Sequence, residues 1–290
     1  MKPRSLMFTL FGEYIKHYGG EIWMGSLIKM MAHFNISESS LRGAVLRMVN
    51  QGLLRVRKIG NKSYASLTEK GKRRMEDGIS RVYSVHSLIW DGYWRVLVYS
   101  IPENRRELRN QIRKELKWTG FGLISHSTWA SPNPLEDQVM EMARTYELED
   151  NIILFKTNSI MSHTNEEIVN KGWDLNEISK NYAAFIEKYG EIYENLKDKV
   201  WNDSLDEEYC FVMRTTLVHE YRKFLFIDPS LPVDLLPEDW NGFKARELFF
   251  NLHQLLAVPS TKQFEKEFSH APDTEPIFNR SKAVNPFVGV

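Results

Sequence analysis

The sequence predicts a multidomain α+β protein with an N-terminal winged helix-turn-helix, a middle ferredoxin-like α+β domain and a C-terminal helical domain. Three observations predict this organisation. Residues 1–84 alternate short helical and strand patterns, residues 85–160 alternate strands with amphipathic helices, and residues 161–290 contain long helical periods. A length of 290 residues also suits several domains better than one, because a single core rarely grows beyond about 250 residues.

Charge is distributed unevenly along the chain, although it sums to zero at pH 7. Residues 1–84 contain 15 Lys and Arg against 6 Asp and Glu, and the rest of the chain contains 23 against 32. A basic segment on an acidic body indicates a polyanionic partner for that segment. A solvated basic surface would give the same composition, so the choice depends on the elements within the segment.

The first third of the chain begins with helical and extended patterns in turn. Apolar residues recur at spacings of three and four over 4–17, and the glycine pair that starts at Gly19 ends this helix. Residues 21–23 are a short extended piece, and a second helix is predicted from Ser26. After a turn, Ser37 is the predicted N-cap of a third helix.

The third helix has one apolar face and one polar face. The residues predicted to be buried are Leu41, Ala44, Val45, Met48 and Val49. The residues predicted to face outward and to contact DNA are Ser39, Ser40, Arg42, Gly43, Arg47 and Asn50. Serine and arginine bind base edges and phosphates, and glycine permits close approach, so this face suits a DNA major groove. Arginines on an exposed helix are common, however, and the helix alone is weak support for DNA binding.

A basic hairpin follows the third helix. Residues 53–59 and 62–67 have strand patterns, and Gly60-Asn61 forms a tight turn between them. The hairpin residues predicted to contact DNA are Arg55, Arg57, Lys58, Lys62 and Tyr64. A helix, strand, helix, helix, hairpin and helix in this order are typical of a winged helix-turn-helix, whose hairpin cations bind flanking phosphates or the minor groove. Double-stranded DNA is therefore the expected partner.

The middle of the chain has the pattern of a ferredoxin-like domain. A buried strand over 94–101 is followed by a charged helix over 103–118, strand patterns within 121–129, a helix over 134–148 and a strand over 151–156. Strand, helix, one or two strands, helix and strand in this order fit the ferredoxin-like fold. We interpret residues 85–160 as an architectural domain for dimerisation.

Catalytic motifs are absent from the sequence. A metal-dependent nuclease needs carboxylates near its strands, but Asp91 is more simply a turn residue and His126 has no partner at a fixed spacing. His219 and Glu220 lack the second histidine of a zincin, because position 223 is a lysine. The sequence therefore predicts a protein that is not an enzyme and holds no metal or cofactor. A nuclease or a CoA-dependent enzyme is the rival hypothesis.

Composition also predicts where the protein works. No apolar run is long enough to cross a bilayer, and the apolar stretch that follows Arg4 is cut short by Gly12-Glu13, unlike a signal peptide. The one cysteine, Cys210, excludes an internal disulfide framework and a cysteine-rich zinc site. A cytoplasmic protein with no membrane partner is expected.

Residues 161–290 are predicted to form a small helical bundle, with helices that begin near 173, 205, 243 and 263. A candidate effector site within it consists of Arg214, His219, Tyr221, Arg222, Lys223 and Trp240. Its cations could bind the phosphates of an anionic ligand, and its aromatic rings could surround that ligand. A structural network of ion pairs explains each of these residues equally well.

Four stretches carry a resemblance to a known family: SLMFTLFGEYI through GGEIWMGSL at 5–27, WDGYWRVLVYSIP at 90–102, ELKWTGFG at 115–122 and VHEYRKFLFIDP at 218–229. They resemble the PaaX family, the repressors of phenylacetic acid degradation operons, in the right order over nearly the whole chain. The resemblance implies a homodimer that binds a palindromic operator and releases it when phenylacetyl-CoA accumulates.

The resemblance also implies that the middle domain is similar to the Cas2 nuclease fold. The end of its first strand, at 99–102, carries no carboxylate, so no nuclease activity is expected. The family supplies no motif for the CoA site, and no ligand residue is carried over from it. A different acyl- or aryl-CoA as effector remains open.

Overall fold

In residues 1–83 of the computed structural model, the elements follow the order that the sequence predicts. They are α1 (Pro3–Glu13), β1 (Glu21–Trp23), α2 (Met24–Ala32), α3 (Glu38–Asn50), β2 (Leu54–Ile59), β3 (Lys62–Leu67) and α4 (Glu69–Tyr83). A 3-10 turn over Ile15–Tyr18 follows α1 and ends at Gly19, whose φ of 85° lies in the left-handed region that favours glycine. The three strands form an antiparallel sheet in the order β1-β3-β2.

Helix α3 begins at the predicted cap and buries most of the predicted face. The Ser37 hydroxyl oxygen accepts a hydrogen bond from the backbone N–H of Ser40 at 3.3 Å. The buried residues are Leu41, Ala44, Val45 and Met48. The prediction was wrong for Val49, which is 37% exposed. Val49 lies about 90° around the helix axis from the centre of the buried face, which is too far to contact the core.

The second group of elements follows the order that the sequence predicts, with two strands where the sequence predicts one or two. It consists of β4 (Trp94–Tyr99), α5 (Arg106–Thr119), β5 (Gly122–Ser125), β6 (Thr128–Ser131), α6 (Glu136–Thr145) and β7 (Ile152–Thr157). The strands form an antiparallel sheet in the order β5-β6-β4-β7. Leu97 and Trp129 on one sheet face form a core with Ile112 and Leu116 of α5 and Val139 of α6. This is the arrangement of a ferredoxin-like α+β domain.

The other face of this sheet is apolar and open along the edge strand β7. Ile153 is 57% exposed and Phe155 is 52% exposed. Across the ladder, Ile153 pairs with Val98 and Phe155 pairs with Val96, and both valines are partly exposed. Four apolar side chains therefore share one accessible patch.

From residue 161 on, the described residues contain helices and turns. The helices are α7 (Asn165–Gly172), α8 (Leu175–Trp201), α9 (Glu207–Tyr221), α10 (Asn241–Glu267) and α11 (Arg280–Val284), with a 3-10 turn over Arg222–Phe226 after α9. The two helices predicted from 243 and 263 are one helix, α10, which continues through Pro259. The hydroxyl groups of Ser260 and Thr261 donate to the Ala257 carbonyl at 3.0 and 2.7 Å, which holds the turn around the proline.

The structure describes residues 1–83, 89–201, 205–273 and 279–287. Internal contacts divide the chain into two units, one of residues 1–85, 186–225 and 245–290, and the other of residues 86–185 and 226–244. Segments of the predicted C-terminal domain thus belong to both units, and the domain boundaries after 84 and 160 stay a prediction. In the first unit, Phe211 of α9 and Phe264 of α10 share the core of α1 to α3. No helix in the described ranges is long and apolar enough to span a membrane.

Candidate nucleic-acid interface

The outward face of α3 carries all six residues that the sequence predicts there. Ser39, Ser40, Arg42, Arg47 and Asn50 are exposed, and Gly43 is partly exposed. The sequence reasoning missed Leu46, which is 62% exposed on the same face. Its spacing from Leu41 and Met48 places it outside the buried stripe, and this spacing is the signal that could have identified it.

The two arginines of α3 differ in their partners. Arg42 forms an ion pair with Glu38 one turn earlier, with 2.6 Å between Nη2 and Oε1. An exposed pair of this kind contributes about 0.3–0.5 kcal/mol, so a phosphate can replace the Glu38 carboxylate at little cost. Within the part of the chain that the structure describes, no carboxylate lies within ion-pair distance of Arg47. Its guanidinium is free to bind an anion or a guanine edge.

The hairpin of β2 and β3 adds three cations to this surface. The Arg55 Nε donates to Ser66 Oγ at 2.8 Å, and the Lys62 ammonium lies 4.6 Å from the centre of the Trp23 ring. Lys58 is exposed. No described carboxylate is ion-paired with these three residues. Their charge is therefore available to a polyanion.

Arg57 is placed differently from the other hairpin cations. Its guanidinium is 2.5 Å from Glu21 Oε2 and 2.6 Å from Asp273 Oδ2. The hydrogen bonds that Arg57 donates to these two carboxylates raise its pKa above the ordinary value. The structure therefore compensates the charge of Arg57 within the chain, and a contact of Arg57 with DNA would require exchange of at least one carboxylate.

Tyr64 does not lie on the surface where the sequence places it. The residue is 3% exposed, and its position in β3 pairs with Trp23 of β1 and Arg57 of β2. Because β3 is the central strand of its sheet, both of its edges are covered. The Tyr64 side chain is buried, so almost none of its surface can contact a ligand. The prediction that Tyr64 contacts DNA is therefore wrong.

The candidate effector residue Arg214 is fully buried in the first unit. Its Nη2 lies 2.6 Å from Glu13 Oε1, and its Nη1 donates to Ser260 Oγ and Thr261 Oγ1 at 3.1 and 3.2 Å. The His253 ring lies against the same carboxylate, with 2.7 Å between Nε2 and Glu13 Oε1. These partners make Arg214 a structural residue.

His219 and Tyr221 are also buried. The His219 Nδ1 lies 3.1 Å from Thr9 Oγ1. Burial lowers the pKa of His219 to about 4, and the charges of Arg222 and Lys223 add to this effect, so the imidazole is neutral at pH 7. The Tyr221 ring stacks on Phe249 with 4.0 Å between ring centres.

Arg222 and Lys223 remain accessible to an anion. The Arg222 guanidinium donates to Thr9 Oγ1 and to Ser5 Oγ, both at 3.0 Å, and both hydroxyl groups belong to α1. Lys223 is exposed. Among the described residues, neither cation is ion-paired with a carboxylate. This pair is the part of the predicted effector site that could still bind phosphate.

Trp240 belongs to the second unit, where its ring packs against Tyr182 with 5.7 Å between ring centres. Arg214, His219 and Tyr221 are buried in the first unit, so the residues predicted for the effector site do not all face an accessible pocket. A groove of about 340 Å³ in the second unit is lined by other residues of α5 and α6, including Glu115 and Glu141. Two carboxylates in its lining make this groove unsuitable for an anionic ligand.

The residues considered for nuclease chemistry have structural surroundings. Asp91 is ion-paired with Arg95 and Lys156 at 2.7 and 3.3 Å, and hydrogen bonds from Arg95 hold the pKa of its carboxyl well below the ordinary value. His126 is exposed in the turn between β5 and β6. The described residues contain no cluster of three or more histidine, cysteine or acidic side chains that could hold a metal ion.

Comparisons with known proteins cover most of the chain. Residues 2–71 match the family described as PaaX-like protein, residues 87–169 match the central Cas2-like domain of the PaaX protein, and residues 173–266 match the C-terminal domain of PaaX-like proteins. The transcriptional repressor PaaX from Escherichia coli is 33% identical over 266 residues, which cover 91% of this chain and 83% of that protein.

A solved structure is similar in fold. It is the uncharacterized protein Rv0674 from Mycobacterium tuberculosis, with a TM-score of 0.52 and 23% sequence identity, covering 83% of this chain and 89% of that chain. This likeness supports the fold alone. The homology over nearly the full length supports a transcriptional repressor role and a Cas2-like middle domain. The chain belongs to the PaaX family.

Proposed function

We propose that this protein is a transcriptional repressor that binds double-stranded operator DNA through a winged helix-turn-helix in residues 1–83. The observation that carries the proposal is the outward face of α3, on which Arg47 has no carboxylate partner among the described residues. The cations Arg55, Lys58 and Lys62 of the adjacent hairpin extend the same kind of surface. Homology to a transcriptional repressor supports DNA as the ligand of this basic surface.

In the proposed complex, α3 lies in the major groove and the hairpin contacts flanking backbone. Arg47 forms a bidentate contact with a guanine or a phosphate, and Lys58 and Lys62 neutralise phosphates. A homodimer places two copies of α3 on a palindromic operator in promoters of phenylacetic acid catabolism genes. Such two-fold symmetry makes the half-site spacing a property of the dimer.

Site selection from a pool of random duplexes, followed by mobility-shift titration of the selected duplex, tests DNA binding. We expect the Arg47→Ala variant to bind the selected duplex at least about thirtyfold more weakly, as loss of one bidentate contact in each of two half-sites predicts. Arg144→Ala is the matched control, because Arg144 is an exposed arginine on α6 and should have no effect. Failure to select any sequence, or equal binding by both variants, would refute the proposed docking.

The proposed effector is phenylacetyl-CoA, as the family resemblance implies. Arg222 and Lys223 supply cations for its phosphate groups, and Arg222 is already hydrogen-bonded to the α1 hydroxyls of Ser5 and Thr9. Helix α1 packs against both α9 and α3. A ligand that draws Arg222 away from α1 would therefore act on the element that supports the DNA-contacting helix.

Release of the operator requires that the acyl-CoA bind the DNA-free conformation more tightly than the DNA-bound one. A hundredfold loss of operator affinity corresponds to a coupling free energy of about 2.7 kcal/mol, which is within the usual range. The test is titration of the protein–operator complex with phenylacetyl-CoA, free CoA, phenylacetate and other acyl-CoA esters. Release by another ester alone would keep the repressor and change the effector.

The Arg222→Gln variant tests the residues of the effector site. It should bind phenylacetyl-CoA more weakly than wild type when no DNA is present, and it should also bind operator more weakly, because it lacks the hydrogen bonds to Ser5 and Thr9. Lys180→Gln in α8, which removes one exposed cation elsewhere, should leave both affinities unchanged. An unchanged affinity of Arg222→Gln for phenylacetyl-CoA would exclude Arg222 from the effector site.

A further inference from the structure

An exposed strip runs along the centre of the outward face of α3. At 100° per residue, Ser39, Gly43, Leu46 and Asn50 lie within about 30° of the direction opposite the buried stripe. Their spacings of four, three and four place each one directly above the previous one. Arg42 and Arg47 lie on the two sides of this strip. The centre of the outward face therefore consists of small, apolar and amide side chains, and the two arginine charges lie at its edges.

Neither the backbone angles nor the neighbouring side chains require a glycine at position 43. It lies inside a helix, where glycine is among the least favourable residues, and its φ is not in the left-handed region. A Cβ built at this position would meet only Arg47 Nη1, at the ordinary contact distance of 3.4 Å. An alanine would therefore fit and would strengthen α3. Close approach of a bound ligand to the backbone of α3 would explain why this position is a glycine.

The exposed side chain of Leu46 indicates the chemical nature of this ligand. Its side chain is 62% exposed between Gly43 and Asn50, one turn from each. An apolar side chain between two flanking arginines fits a surface that is apolar at one point and anionic at its edges. The major groove of DNA offers this pattern at a thymine, whose 5-methyl group lies between the phosphates of the two strands.

Building on the proposed operator binding, we infer that Leu46 contacts the 5-methyl group of a thymine and that Gly43 lets the edge of that base approach the backbone of α3. Asn50, one turn further on, is placed to bond a neighbouring base, as asparagine bonds adenine. The strip therefore specifies a thymine in each half-site, and the arginines beside it determine position on the backbone.

The test replaces each thymine of the selected duplex, one at a time, with deoxyuridine, which removes only the 5-methyl group. Wild type should lose about fourfold in affinity at one thymine of each half-site, the loss expected for one buried methyl group. The Leu46→Ala variant should bind the unmodified duplex about sixteenfold more weakly, because it loses a contact worth about fourfold in each of two half-sites, and it should not distinguish thymine from deoxyuridine at that position. Val49→Ala, which truncates an exposed apolar residue outside the strip, should keep the full discrimination.

A second variant tests the role of Gly43, because stability and operator affinity should change in opposite directions. Gly43→Ala should raise the melting temperature, because alanine favours the helix, and yet weaken operator binding at least tenfold. A merely structural glycine would show a fall in melting temperature or no change in binding.

Four outcomes would overturn the inference and are distinguishable from one another. Wild type that tolerates deoxyuridine at every position contacts no thymine methyl, although the proposed repressor function would stand. Discrimination that persists in Leu46→Ala would assign the contact to another residue. A Leu46→Ala variant with an altered mass by light scattering would mean that the strip covers a second copy of the chain. Absence of any sequence-specific binding by wild type would refute the proposed function together with the inference.

Discussion

Glu13 is a single carboxylate at the end of α1 that is bonded to three other helices. It contacts Arg214 of α9 and His253 of α10 and accepts a hydrogen bond from Tyr83 of α4. Burial disfavours its charged form, but Arg214 and His253 outweigh this effect and lower the pKa of Glu13 far below its ordinary value of 4.5. The cluster is a buried ion pair, so its loss should be costly while its replacement by apolar groups need not be.

We expect Glu13→Gln to lower the free energy of unfolding by about 3–5 kcal/mol, because it leaves the Arg214 charge buried without a counter-charge. Urea denaturation at pH 7 measures the change. The double variant Glu13→Leu/Arg214→Met removes both charges and should cost less than Glu13→Gln alone. Since the folded pKa of Glu13 is depressed, its contribution is present above pH 4.5 and is lost progressively below it. Equal losses in the single and double variants would contradict this account.

His33 connects the turn before α3 to two carboxylates of the same unit. Its Nδ1 lies 3.0 Å from Glu208 of α9 and its Nε2 lies 2.7 Å from Glu267 of α10. Burial lowers the pKa of His33, but the hydrogen bond and charge of Glu267 and the charge of Glu208 outweigh it, so the pKa rises above 6.5. Both ring nitrogens donate only in the protonated ring.

The sign of the resulting pH dependence follows from the raised pKa. The stabilisation by His33 is complete below pH 6.5 and is lost as the pH rises through the higher folded value. We expect wild type to lose stability relative to His33→Gln as the pH rises above 6.5, measured as the free energy of unfolding at a series of pH values. Parallel curves for the two proteins would mean that His33 is not charged in the folded state.

At the residue scale, the sequence predicts the surface of α3 better than the fate of single polar residues. Helical periodicity separates Met48 from Arg47 without further information. It cannot place Tyr64, because burial in a central strand depends on which strand pairs on each side. Nor can it reveal that Arg214 meets Glu13, since the two are far apart in sequence and their contact depends on the packing of α9 against α1.

The hairpin of β2 and β3 is the element whose charge the structure revises most. Arg57 is compensated by Glu21 of β1 and by Asp273, whose segment also bonds β1 through a hydrogen bond of 3.0 Å from Trp23 N–H to the Ser269 carbonyl. Pairing with residues from the other end of the chain cannot be predicted from the local sequence. The order of the elements could be predicted because each is short and bounded by its own turn.

Salt dependence of operator binding tests this difference between hairpin cations. We expect Lys58→Ala to reduce the slope of log affinity against log salt concentration by about two, because each protomer of the proposed dimer loses one phosphate contact. Arg57→Ala should change the slope less, and Asp273→Asn should raise affinity by removing a competing carboxylate. The slopes come from mobility-shift titrations at four salt concentrations. Equal slope changes in Lys58→Ala and Arg57→Ala would mean that Asp273 and Glu21 release Arg57 on DNA.

The whole molecule combines a basic N-terminal segment with an acidic remainder, and the chain sum of zero hides both. The proposed complex on a palindromic operator requires a second copy of the chain, and the apolar patch of Val96, Val98, Ile153 and Phe155 is our candidate for the surface that binds it. Apolar side chains on an exposed edge strand are a liability unless a partner covers them. The order of strands and helices in the ferredoxin-like domain could be predicted from the sequence. The exposed sheet face could not, because the alternation of side chains in β7 does not indicate which face of the sheet is left uncovered.

If this patch is the dimer interface, the variant Ile153→Lys/Phe155→Lys should be a folded monomer, because like charges would meet across the two-fold axis. Sedimentation equilibrium measures the mass, and Val258→Lys, a substitution at another exposed apolar position on α10, should stay dimeric. The monomer should bind a single half-site as wild type does but bind the full palindrome at least tenfold more weakly, because the second contact is no longer intramolecular. A dimeric double variant with unchanged operator affinity would place the interface elsewhere on the chain and leave this patch without a function in DNA binding.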